Sequence, residues 1–130
     1  MKLRSPFIRA KDALVDLVKT SKFYRRTVLA SLILVILTFA VPAWKIVPIR
    51  EEAPFIPLHY NIYIGIDRFG PWYYVFIPGA LGLTLLFVNT VFQAVFYRRE
   101  KVLSAFFAVA TVFAELTLFV AMVLSVLLNL

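Results

Sequence analysis

Residues able to do acid–base chemistry are few, and most of them share one segment. His59 is the only histidine, with Asp67, Glu51 and Glu52 in the same stretch between residues 45 and 71. An imidazole beside a carboxylate can pass a proton or contribute to a metal site. A zinc site needs further nitrogen or sulfur ligands, and the chain has a single histidine and no cysteine. No nucleophile–base pair and no glycine-rich phosphate loop can be read along the sequence. The sequence therefore predicts no catalytic residue, no metal site and no cofactor, and a protein that is not an enzyme.

One more carboxyl stands apart. Glu115 lies midway along an apolar run, where an ionised carboxylate is costly and an acid is a functional candidate by default. Two readings are open. Glu115 is a proton or cation site completed by another copy of the chain, or it is a neutral acid hydrogen-bonded to a backbone carbonyl or to a hydroxyl such as Thr38. Asn89, Gln93 and Thr111 are the other polar side chains in the apolar runs that bear on it, and buried amides of this kind join helices by pairing across them.

The elements that must position these groups follow from hydropathy. Of the 130 residues, 62% are hydrophobic, too large an apolar load for one small soluble core. Residues 27–44, 72–97 and 102–130 form runs long enough to cross a hydrocarbon layer of about 30 Å. The sequence predicts a single all-α integral membrane domain with three transmembrane helices. Residues 1–26 form an N-terminal cytoplasmic segment, residues 45–71 an extracytoplasmic loop, and residues 98–101 a cytoplasmic link. Val41, Pro42 and Ala43 would suit a signal peptidase, but the basic region ahead of the first run is long for a cleaved signal.

Charge orients the spans. Lys2, Arg4, Arg9, Lys11, Lys19, Lys22, Arg25 and Arg26 precede the first, and Arg98, Arg99 and Lys101 fill the link between the other two. In the 45–71 segment Lys45, Arg50 and Arg68 balance Glu51, Glu52 and Asp67. The positive-inside rule then places the N-terminus in the cytoplasm and the C-terminus outside, as expected for a multi-pass protein of a bacterial cytoplasmic (inner) membrane. The net charge of +7 has a sufficient cause in these basic flanks, and nucleic acid is not an expected partner. Trp44, Trp72, Tyr73 and Tyr74 mark the outer interface, and Tyr24 and Tyr97 the inner one. Ahead of the first span, Leu3, Phe7, Ala10, Leu14, Leu17 and Val18 fall on one side of a helix, opposite Arg9, Asp12, Asp16 and Lys19. This is the pattern of an amphipathic interfacial helix, drawn to the bilayer and to anionic lipid headgroups.

Each span carries a stripe of small and polar residues at steps of three and four, the signature of a packing seam. These are Thr27, Ser31, Leu34 and Thr38; then Gly79, Gly82, Leu86, Asn89 and Gln93; then Ser104, Ala108, Thr111, Glu115, Leu118, Met122, Ser125 and Asn129. Gly79, Gly82 and Ala108 are the close-packing positions. The short link makes the last two spans an antiparallel hairpin. Residues equidistant from it should meet: Gln93 with Ser104, Asn89 with Ala108, Leu86 with Thr111, and Gly82 with Glu115. Pro78 is expected to kink the second span.

The stretch from Ile56 to Asp67 alternates apolar and polar residues, as one strand with Leu58, Tyr60, Ile62, Ile64 and Ile66 on a single face. That face would lie on the bilayer or on a partner. A β-like piece at residues 45–50 could pair with it in a short hairpin, interrupted by Pro48, Pro54 and Pro57.

Pro57, His59, Tyr60, Asn61, Gly65 and Asp67, followed by a span opening with Ile77 and Pro78, resemble the extracytoplasmic segment of bacterial membrane proteins related to SdpI. The likeness covers the central third of the chain; Gly65 is one place from its usual position and Ile66 stands where that family has proline. The whole chain is also similar to small three-span bacterial membrane proteins. The resemblance implies an outer cap shaped by His59, Asn61, Gly65 and Asp67, turned at Gly65 and pinned by polar side chains, and a role in immunity or signalling. The expected function is contact with another membrane protein or with further copies, as an accessory subunit or an immunity- or sensor-like factor. A small oligomeric ion or proton conductor using Glu115 is the alternative.

Overall fold

A computed structural model describes residues 6–130. Lys2, Leu3 and Arg4 lie outside the described residues, as do the side chains of Phe7, Arg9 and Ala10. The described residues form four α-helices, α1 (Pro6–Thr20), α2 (Lys22–Lys45), α3 (Ile77–Phe96) and α4 (Lys101–Leu127), and a two-stranded antiparallel hairpin between α2 and α3 in the chain, β1 (Phe55–Asn61) with β2 (Gly65–Pro71). Helices α2, α3 and α4 are long and apolar enough to cross a membrane, with mean hydropathy of 2.2, 2.0 and 2.3 over their most apolar windows. Their outward faces are apolar, with Ile33, Ile36, Phe87, Phe106 and Phe113 all exposed.

Proline and backbone geometry place the ends. Ser21 is extended (φ −114°, ψ 117°) and separates α1 from α2. The α2 ladder runs on through Pro42, whose carbonyl accepts the N–H of Ile46 at 2.8 Å, and then tightens into a 3-10 turn at Val47–Ile49 containing Pro48. The 45–50 piece is thus helical and pairs with no strand, because Pro48 sits well at a helix start and removes a ladder donor. Pro78 likewise occupies the first turn of α3, where its missing N–H is no loss, so it starts this helix at the end of the 3-10 turn Trp72–Phe76 and does not interrupt its interior.

α4 is the helix shared by both neighbours, packing on α3 and on α2. Apolar clusters close the bundle at its two ends. At one, Leu17 of α1 packs with Tyr24 and Ala108, flanked by Val18 and Tyr97. At the other, Ile46, Ile56, Val75, Met122 and Val126 join the hairpin to the helices. Tyr24 is buried and sits edge-on to Tyr97 at 5.3 Å, so this pair belongs to the helix packing. α1 is also tied to the α3–α4 link by Arg98 donating to Asp16 at 2.6 Å.

Candidate functional site

The alternating stretch folds back on itself. It is two strands: residues 62–64 form the turn, and Asn61 pairs with Gly65 across it. An alternating pattern is equally compatible with one strand or two, and the turn chemistry decides. The Asn61 Oδ1 accepts the Tyr63 N–H at 2.9 Å, and Gly65 adopts φ +81°, a left-handed conformation that side chains resist. His59 and Asp67, one on each strand, then meet with Nδ1 and Oδ1 2.7 Å apart. Asn61, Gly65, His59 and Asp67 are therefore brought into one small cap. Glu51 and Glu52 lie in the preceding turn, and no group of three His, Asp or Glu side chains gathers among the described residues.

Pro57 has a different part. It offers no N–H to the ladder, and the strand register shifts between Pro57 and His59 and again before Tyr60. The carbonyls of Pro57 and Leu58 turn instead to α4. Asn129 Nδ2 donates to Pro57 O at 2.8 Å, and Ser125 Oγ to Leu58 O at 3.0 Å. These two residues belong to the stripe read as a helix seam. They are clamps that fasten the hairpin to the end of α4, and their one sequence signal was polarity continuing past the helix-packing region. Ile56 is fully buried below, and Leu58 packs against the same cluster. The predicted apolar face is split accordingly: Leu58 packs into the protein beside Ile56, Tyr60, Ile62, Ile64 and Ile66 are exposed, and at the tip Ile62, Ile64 and Tyr63 of the opposite face are 80%, 71% and 91% exposed.

Within the bundle, the stripes meet inside a single chain. Ser104 Oγ donates to the Gln93 carbonyl at 2.8 Å, and Gly82 lies directly against the Glu115 carboxyl. Gly79 receives the ring of Phe39 from α2, and Ala108 is buried beside Leu17 and Tyr24. Asn89 reaches Thr111 Oγ1 at 3.0 Å, one turn from the expected Ala108. In an antiparallel pair, side chains on both helices lean toward their own N-termini, so Asn89 and Thr111 lean toward each other. Thr38 donates to its own helix at Leu34 O, at 2.7 Å, and not to Glu115. Glu115 is 1% exposed, and neither of its oxygens has a hydrogen-bond partner among the described residues; the same holds for Gln93 Oε1.

Two features therefore bear on function: a braced hairpin with an apolar tip, and a buried acid on α4, set against Gly82 of α3, without a hydrogen-bond partner among the described residues. Compared with protein-family models, curated proteins and solved structures, the chain matches none of them.

Proposed function

We propose that the chain is a three-pass protein of a bacterial cytoplasmic membrane, N-terminus inside and C-terminus outside, that acts without catalysis by presenting its outer hairpin to another membrane protein. Apolar outward faces on helices of spanning length support the insertion, and the basic residues at the α1 and 98–101 end support the orientation. The observation that carries the contact role is the hairpin itself. It is held from beneath by Ser125 and Asn129 and yet exposes Ile62, Tyr63 and Ile64 at its tip. A rigid support under an exposed apolar tip is the form of an interaction site, since loop order costs are met before the partner arrives. The role is that of an accessory subunit or an immunity- or sensor-like factor, as the resemblance of the cap to SdpI-related proteins implies.

Extraction of the tagged chain in mild detergent, with native mass measurement, tests it. A stoichiometric partner present with the wild type and lost from an Ile62→Asn, Tyr63→Asn, Ile64→Asn variant supports the reading. An identical set of species with both proteins overturns it.

Glu115 favours a second reading, an ion or proton conductor, because its carboxyl is buried without a partner among the described residues. The reading is that of a small oligomeric conductor, with the buried Glu115 of each copy as its proton or cation site. A pH gradient across liposomes that wild type dissipates and Glu115→Gln does not would support conduction; no flux at any protein density would exclude it.

A further inference from the structure

A groove of about 720 Å³ runs between the hairpin and the outer ends of α3 and α4. Ala121, Leu124 and Leu127 of α4, Leu128 just beyond it and Ile77 of α3 give it an apolar wall; His59, Tyr60 and Arg68 form its hairpin side, with Tyr74 alongside. The size is that of small-molecule sites, and the chemistry is divided between an apolar length and one cationic end.

We propose that this groove holds one anionic phospholipid of the outer leaflet, its phosphate at Arg68 and one acyl chain along α4. The inference rests on the three-pass topology proposed above. Three observations select this occupant. Arg68 has no acidic partner among the described residues, because its neighbour Asp67 is engaged by His59. An unpaired guanidinium offers paired N–H donors that match a phosphate. His59 uses Nδ1 on Asp67, so the imidazole is held in place and Nε2 of the neutral ring is left as an acceptor, suited to a headgroup hydroxyl beside the phosphate. The groove is also lined by Tyr74, an aromatic side chain of the kind that settles at headgroup level. From that level Leu124 and Leu127, both exposed, continue along α4 in the direction an acyl chain takes.

The test is native mass spectrometry of the detergent-purified full chain with equal amounts of phosphatidylglycerol and phosphatidylcholine of matched acyl chains. Wild type is expected to retain one phosphatidylglycerol in preference to phosphatidylcholine by about fivefold, the effect of one cation near a headgroup. Arg68→Gln should bring the preference close to parity and Arg68→Lys should keep most of it. Ala121→Trp, which fills the apolar wall, should lose both adducts; unchanged melting temperatures in detergent show that the variants are folded. Equal retention of the two lipids by wild type overturns the proposal. So does a preference that survives Arg68→Gln, which assigns the lipid to the basic residues around α1. A chain recovered without detergent in the soluble fraction would instead overturn the three-pass reading itself.

Discussion

The carboxyl of Glu115 rests against the bare backbone of Gly82, so that a Cβ added at position 82 would collide with Oε2. The acid and the glycine notch define how closely α3 and α4 approach. Gly82→Ala should displace the Glu115 carboxyl, the end of a flexible side chain, and so destabilise the bundle by about 1 kcal/mol, the low end of the cost of overpacking. Glu115→Ala opens the space, so the double variant should lose less than the sum of the two single changes. Thermal or denaturant unfolding in detergent measures both; strict additivity would show that the two side chains do not share this space.

Asn89 and Thr111 form a side-chain hydrogen bond between α3 and α4, beside that of Ser104 to the Gln93 carbonyl, and it reports their register. A double-mutant cycle of Asn89→Leu with Thr111→Val should give a coupling of about 0.6 kcal/mol, typical of such bonds between helices in membranes. Since the chain has no cysteine of its own, the register can also be read directly. Asn89→Cys with Thr111→Cys should cross-link faster than Leu86→Cys with Thr111→Cys.

At the hairpin, Gly65→Ala meets the left-handed backbone and should cost about 1–2 kcal/mol of local stability. Amide hydrogen exchange across residues 55–71 should quicken while exchange in α3 and α4 stays unchanged. His59→Ala is expected to do much less, within about 1 kcal/mol, because the His59–Asp67 pair is mostly open to solvent on the histidine side. Asn129→Leu removes the donor to Pro57 O and should loosen β1 more than His59→Ala does, since the carbonyl then has no partner from α4.

Leu17, buried, and Asp16, paired with Arg98 at an exposed site, are two of the side chains that hold α1. Leu17→Ala should undock it, with a loss of about 2–5 kcal/mol for truncating a fully buried leucine. Asp16→Asn, which removes the partner of Arg98 at an exposed site, should cost about 0.2–1 kcal/mol and only at low salt. Distances from a spin label on α1 to one on α4 separate docked from undocked molecules.

Orientation has its own measurement. Tyr63→Cys should react with an impermeant thiol reagent on intact cells, and Glu100→Cys only after the membrane is opened. The reverse pattern would invert the proposed topology.

By itself the sequence determined the three long apolar helices and the faces they turn to one another. Both follow from local repeats, hydropathy over some twenty residues and the helical period, which each segment carries without help from the rest. Thus Gln93 and Ser104, or Gly82 and Glu115, could be matched by counting outward from a short link. Asn89 and Thr111 were off by a turn because counting levels Cα atoms and ignores the lean of side chains. The hairpin was legible only in part. Asn61 and Gly65 carry its turn, but alternation alone suits one strand as well as two, and the choice was made by tertiary contact. Pro57 breaks the ladder, its carbonyl and that of Leu58 must find donors elsewhere, and Asn129 and Ser125 supply them from some seventy residues away. The groove beside Arg68 exists only because that clamp sets the hairpin over α4, a relation between distant segments that no local pattern encodes.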